Sequence, residues 1–134
     1  MAGAEFAISL NDLLSRSDFV SIHLVLSDRT RGLVGPEERA QMKPSSYLIN
    51  TSRGAIVDEL ALKEVLIRGR IAGAGLDVFT TEPLPIGHSF RSLKNVLATP
   101  HLGYVSQETH QNWYRQVVED IESYLTNRPI RSLL

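Results

Sequence analysis

Residues 71–79 read IAGAGLDVF, a run of small and apolar residues that also carries one aspartate, Asp77. A run of this composition predicts a buried strand, and its glycines allow another segment to pack closely against the backbone. Gly73 and Gly75 form a Gly-x-Gly, but they lie inside the strand and lack the third glycine of a phosphate-binding turn. We therefore interpret them as packing glycines.

Similar apolar runs lie on both sides of this strand and alternate with helical patterns. Three more strands are predicted, at residues 18–24, 47–50 and 95–99. Four helices are predicted, and the residues expected to begin them are Ser9 in a capping box with Asp12, Pro36, Asp58 and Ser106. Gly69 is expected to end the third helix, and the last extends to about residue 127.

The strands are joined by helical segments and not by two-residue hairpins, which favours right-handed crossovers and a parallel α/β sheet. Because the strands are mostly apolar, we expect helices on both faces of the sheet. The 134 residues contain no repeat and no linker, so one domain is expected.

Composition excludes several classes of protein. Fourteen basic and fifteen acidic residues give a net charge of −1, and without a basic stripe neither nucleic acid nor an anionic membrane is an expected partner. The absence of cysteine excludes disulfides and thiolate metal sites, and no metal site is predicted. The apolar runs are shorter than the roughly 20 residues of a membrane span, and no signal peptide is recognisable. A soluble, cytoplasmic protein is the expectation.

Polar side chains follow three of the strands, and the carboxyl ends of parallel strands meet at one rim. Arg53, Asp77, Glu82 and His101 should lie there. An arginine can bind a carboxylate in a bidentate manner, and a histidine oriented by a glutamate can exchange a proton. Taken singly, each could equally be a surface or loop residue. Their combination suits the reduction of a 2-oxo acid, or the reverse reaction.

The same segments closely resemble successive signatures of the D-2-hydroxyacid dehydrogenase family, which includes phosphoglycerate dehydrogenases and glyoxylate/hydroxypyruvate reductases. The matching segments are INTSRGAIVDELAL (49–62), IAGAGLDVFTTEPLP (71–85), NVLATPHLGY (95–104) and, upstream, SLNDLLSRSDFVSIHLVLSDRTRGLVG (9–35). The resemblance covers residues 9–134. It implies the second half of a Rossmann-like NAD-binding domain, with about four βα units and a long C-terminal helix.

The resemblance also implies roles for individual residues. Arg53 would bind the substrate carboxylate, His101 would be the general acid/base, and Glu82 would favour the cationic imidazole. Asp77 would hold the nicotinamide amide. The implied cofactor-binding residues are Leu24, Val25 and Thr30 near the adenosine half, and Thr51, Ser52, Arg53, Asp77, His101 and Gly103 near the nicotinamide. The implied activity is hydride transfer between NAD or NADP and a 2-oxo or 2-hydroxy acid.

Two substitutions and one absence depart from the family pattern. Val25 stands where many relatives have proline, and Tyr104 stands where most have a small residue, so no single substrate is carried over. The chain has no Gly-x-Gly-x-x-Gly turn, and most of the substrate domain is also missing. We therefore expect a truncated fragment, natural or engineered, that binds NAD weakly and lacks turnover. An unpaired sheet edge predicts self-association, for example as a dimer.

Two other classes of function stay open. Some relatives are corepressor-like regulatory proteins that sense the dinucleotide without catalysis, and an inert remnant is the third possibility. Within the enzyme class, glyoxylate, hydroxypyruvate, phosphoglycerate and longer 2-oxo acids are all open as substrates. The choice between NAD and NADP is open as well.

Overall fold

A computed structural model describes residues 3–132. The chain divides into two compact units, of which the first ends at His101 and the second begins at Leu102. The first unit contains the sheet and most of the residues that are expected to carry chemistry. The second contains one long helix.

The first unit is built on a four-stranded sheet in which all neighbouring strands are parallel, in the order β1-β2-β3-β4. The strands are β1 (Phe19–Ile22), β2 (Tyr47–Asn50), β3 (Gly73–Leu76) and β4 (Val96–Ala98). The parallel α/β fold predicted from the sequence is therefore confirmed. All strands except β2 are shorter than predicted, by one or two residues at the amino end and by one to three at the carboxyl end, where the loops of the rim begin.

Three α-helices of the first unit begin where the sequence predicts. They are α1 (Leu10–Arg16), α2 (Pro36–Ala40) and α3 (Glu59–Ile67). Asp58 caps α3 by accepting a hydrogen bond from Ala61 N at 3.0 Å, and Gly69, with φ +60°, follows its end. Ser9 caps α1, but the carboxylate of Asp12 accepts from Ile8 N and not from Ser9 N, so only half of the expected capping box forms.

The helices of the first unit cover one face of the sheet, and the expectation of helices on both faces is wrong for this unit. Val20 and Leu48 are buried beneath the helices, whereas Phe19 and Leu97, on the opposite face, are 67% and 71% exposed. The strand order supplies the reason. Right-handed crossovers that advance one strand at a time in a single direction place all their connecting helices on the same side.

The two glycines of β3 differ in how closely other atoms pack against them. A Cβ on Gly73 would lie 2.7 Å from Asn95 O and 3.0 Å from the Tyr47 ring, whereas one on Gly75 would have its nearest neighbour at 3.9 Å. The interpretation as packing glycines is therefore correct for Gly73, and Gly75 leaves room on the exposed face. The Tyr47 ring that crosses Gly73 also stacks on Phe19.

The second unit is organised around α4 (Gln107–Leu125), which Ser106 caps as predicted by accepting from Thr109 N at 3.1 Å. The segment after the helix folds back along it, because Arg131 pairs with Glu119 at 2.8 Å and with Asp120 at 2.9 Å. No helix in the part of the chain that the structure describes is long and apolar enough to cross a membrane.

Candidate active site

The carboxyl ends of β2, β3 and β4 lie side by side, as the sequence predicts. Backbone hydrogen bonds continue one residue beyond the strands: Asp77 N donates to Asn50 O at 3.0 Å, and Thr99 N donates to Leu76 O at 2.9 Å. The loops that follow these strands therefore start from one edge of the sheet. They carry Arg53, Glu82 and His101.

His101 and Glu82 form an ion-pair contact at this edge. The Nδ1 atom of His101 lies 2.8 Å from Oε2 of Glu82, and the two side chains are 34% and 36% exposed. The other carboxylate oxygen, Oε1, accepts a hydrogen bond from Phe79 N at 2.8 Å. Glu82 is therefore held from two sides, and it fixes the imidazole through Nδ1 while solvent still reaches both groups.

The surroundings of Glu82 stabilise its charged form. The hydrogen bond with His101 is the main cause that lowers the pKa of Glu82 below its ordinary value of 4.5. The Phe79 N–H and the positive charges of His101 and Arg53 lower the pKa further, whereas partial burial opposes them. Glu82 is accordingly a negatively charged carboxylate at neutral pH. This charge is what allows it to favour the protonated form of the His101 imidazole.

Arg53 is exposed at the same edge, and its positive charge is the smallest of the causes that lower the pKa of Glu82. Its Nη1 donates to Ser52 O at 2.6 Å. The next residue, Gly54, packs so tightly that a Cβ there would lie 2.6 Å from Phe79 Cα. The loop of Arg53 thus lies directly against the backbone that leads to Glu82.

Asn50 is a residue of this site whose role the sequence interpretation missed. It ends β2, is 1% exposed, and its side chain bonds both Ser52 N (3.1 Å) and Arg53 O (2.9 Å). A polar residue at the end of an apolar strand was the available signal. The sequence showed the residue but not its burial.

Asp77, Ser52 and Thr51, three of the residues expected around the nicotinamide, also lie at this edge. Asp77 is 6% exposed, and its Oδ1 accepts from Thr99 Oγ1 at 2.5 Å. Ser52 Oγ donates to Ile22 O at 2.7 Å and so ties the ends of β1 and β2 together. Thr51 is exposed. A buried carboxylate beside an open edge has the acceptor chemistry that a carboxamide N–H group requires.

The loop after β1 carries the residues expected near the adenosine half of the cofactor. Leu24 and Val25 are 44% and 85% exposed. The hydroxyl of Thr30 is engaged within the loop, where it donates to Val25 O at 2.7 Å and accepts from Ser27 N at 2.8 Å. Thr30 therefore shapes this loop. Gly103, the last expected cofactor residue, belongs to the second unit, and its role stays a prediction.

Among residues 3–132 no group of three or more histidine, aspartate or glutamate side chains is arranged to hold a metal ion. The groups that converge at the edge are an arginine, a glutamate–histidine pair and a buried aspartate. These groups lie at the edge of a parallel sheet. The fold and the site together indicate an α/β domain with the chemistry to act on a small carboxylic acid.

Comparison with known proteins narrows this class to a family. Residues 1–103 match the family of the D-isomer specific 2-hydroxyacid dehydrogenase, NAD binding domain. The chain belongs to this family. It is 47% identical over 117 residues to glyoxylate/hydroxypyruvate reductase B of Pectobacterium carotovorum, an alignment that covers 87% of this chain and 37% of that reductase.

Solved structures show the same relationship. The chain is similar to a D-isomer specific 2-hydroxyacid dehydrogenase from Xanthobacter autotrophicus in complex with NADPH and MES, with a TM-score of 0.73 and 38% identity over 93% of this chain and 51% of that one. It is also similar to a putative D-3-phosphoglycerate dehydrogenase from Ralstonia solanacearum, with a TM-score of 0.84 and 36% identity over 92% of this chain and 36% of that one. The chain thus spans about a third to a half of the length of these relatives.

Proposed function

We propose that this chain supplies the catalytic edge of an NAD(P)-dependent oxidoreductase that interconverts a 2-oxo acid and the corresponding 2-hydroxy acid. The contact of 2.8 Å between His101 Nδ1 and Glu82 Oε2 carries the proposal. A carboxylate that holds one ring nitrogen leaves the imidazolium oriented to deliver a proton from the other, which is what reduction of a carbonyl requires.

Each residue of the edge then has a defined task. Arg53 binds the substrate carboxylate through its planar guanidinium. His101 donates a proton from Nε2 to the carbonyl oxygen in reduction and accepts it in oxidation, and Glu82 stabilises the positive charge of the imidazolium. Asp77 would accept a hydrogen bond from the amide of the nicotinamide, and the nicotinamide dinucleotide, when bound, supplies or accepts the hydride.

The names of the relatives indicate which substrates to test first. The Pectobacterium protein is a glyoxylate/hydroxypyruvate reductase, and the Xanthobacter structure contains NADPH. We propose glyoxylate or hydroxypyruvate as substrate and NADPH or NADH as cofactor. We also propose that the protein is cytoplasmic and that it self-associates.

The first test is a calorimetric titration of NADH and NADPH into two proteins. One is the 134-residue chain, and the other, the extended protein, joins it to the upstream residues of the Pectobacterium reductase. Because a Gly-x-Gly-x-x-Gly turn holds the pyrophosphate, only the extended protein should bind tightly. Micromolar binding by the short chain would contradict this expectation.

Turnover of glyoxylate by the extended protein tests the reaction itself. Replacement His101→Gln should lower kcat/KM by about 100-fold or more, the usual effect of removing a general acid/base. His88→Asn is the matched control, because asparagine can replace the histidine that now accepts from Phe90 N. Cofactor binding without turnover of any 2-oxo acid would contradict the proposal and favour a regulatory protein.

A further inference from the structure

Asn50 holds two peptide groups of the turn that follows β2. Its side chain is buried, its Oδ1 accepts from Ser52 N at 3.1 Å, and its Nδ2 donates to Arg53 O at 2.9 Å. One carboxamide thus fixes the turn on both sides of the Ser52–Arg53 peptide bond. Burial strengthens the constraint, because a buried donor or acceptor that loses its partner cannot exchange it for water.

The Ser52–Arg53 peptide, which lies between the two peptide groups that Asn50 holds, is also the anchor of the Arg53 side chain. The carbonyl oxygen of this peptide, Ser52 O, accepts from Arg53 Nη1 at 2.6 Å. Rotation of the peptide would move this oxygen and with it the guanidinium. On the far side, Gly54 lies against the backbone of Phe79 and Thr80, so the turn is fixed relative to the loop that carries the catalytic carboxylate.

We propose that Asn50 is a positioning residue for substrate binding, which aims Arg53 at the carboxylate of the 2-oxo acid by holding the two peptide groups that flank the Ser52–Arg53 peptide. The inference rests on the proposed function. Asn50 is 1% exposed and acts on the substrate only through Arg53. Its loss should therefore weaken binding of the 2-oxo acid and leave the proton transfer at His101 in place.

Two matched replacements separate this role from a contribution to stability. Asn50→Asp keeps the acceptor for Ser52 N but turns the donor to Arg53 O into a repelling oxygen. Asn95→Asp is the control, since Asn95 Nδ2 also donates to a backbone carbonyl, Leu66 O, at 3.1 Å. Asn95 immediately precedes β4, at the end of the strand opposite the site. Asn50→Ser, which removes both bonds without adding charge, serves if Asn50→Asp does not fold.

Steady-state kinetics of the extended protein give the first readout. Asn50→Asp should raise KM for glyoxylate about tenfold with kcat changed less than about twofold, the pattern expected when binding is weakened equally in the ground state and the transition state. Asn95→Asp should leave KM at the wild-type value. Equal KM changes in both variants, or no change in Asn50→Asp, would overturn the proposal.

Nitrogen-15 NMR of the 134-residue chain gives a second readout that does not depend on turnover. Asn50→Asp should shift the Arg53 Nε–Hε signal, and Asn50→Ser, which also removes the acceptor of Ser52 N, should speed hydrogen exchange at the Ser52 amide, whereas Asn95→Asp should leave both unchanged. If the wild-type extended protein reduces no 2-oxo acid, the proposed function fails, and NMR still decides whether Asn50 orients Arg53. Unchanged Arg53 signals in Asn50→Asp would overturn the inference even in an active enzyme.

Discussion

At the scale of single residues, the contact between Glu82 and His101 makes the stability of the folded protein depend on pH. The pKa of Glu82 is lowered in the folded protein, so its carboxylate stabilises the fold at pH values above the ordinary 4.5, and this contribution is lost as the pH falls through the lower folded value. Glu82→Gln should therefore be less stable than wild type at neutral pH, with a difference that shrinks in acid. Urea unfolding near pH 7 and below pH 4.5 measures it. The same replacement at exposed Glu37 controls for the lost charge, and a difference that stays constant in acid would contradict the expectation.

Gly54 is the residue whose lack of a side chain brings two loops of the site together. A Cβ there would lie 2.6 Å from Phe79 Cα, which is backbone and cannot swing away. Gly54→Ala should destabilise the protein by about 1–3 kcal/mol, as overpacking does. Gly87→Ala is the matched control, because a Cβ at Gly87 meets nothing within 4 Å, and its effect should stay within about 0.5 kcal/mol. Urea denaturation that shows equal stability for both variants would contradict this account of the contact.

At the scale of elements, α3 depends on its cap. Asp58 Oδ1 accepts from Ala61 N at 3.0 Å, and the helix buries Leu62 and Leu66 in the core beneath the sheet. Asp58→Ala should lower the free energy of unfolding by about 1 kcal/mol. Asp58→Asn keeps the acceptor and should therefore lower it much less. Denaturation followed by circular dichroism compares the three proteins. Equal losses in both variants would show that charge, and not the cap hydrogen bond, matters here.

At the scale of the whole molecule, the exposed edge and the exposed apolar residues of the sheet lead us to predict self-association. In the described part of the chain β1 lies at an edge of the sheet, and Phe19 and Leu97 are exposed on the face opposite the helices of the first unit. Exposed edges and apolar faces favour association. We expect a dimer or larger species in sedimentation velocity at micromolar concentration, and Leu97→Lys should weaken it. Leu60→Lys, at a leucine of α3 that is 78% exposed, should not, and a monomeric wild type would contradict the prediction.

The sequence by itself determined the order of the elements and which loops carry the candidate site residues. Caps and breakers act within a few residues, so Asp58, Gly69 and Ser106 could be assigned to helix ends without a structure. Alternation of apolar runs with helical patterns was enough for the parallel sheet. That sheet in turn placed the loops of Arg53 and His101 at one edge.

Tertiary structure alone decided which of these residues touch and which are buried. Glu82 and His101 are 19 residues apart, and no local sequence pattern predicts the distance of 2.8 Å between Glu82 Oε2 and His101 Nδ1. The same holds for the buried carboxamide of Asn50 and for Arg39, a charged residue that is only 2% exposed. Coverage of one face also follows from the direction in which the strands advance. Such features depend on packing between segments far apart in the chain, whereas sequence signals report on neighbours within a few residues.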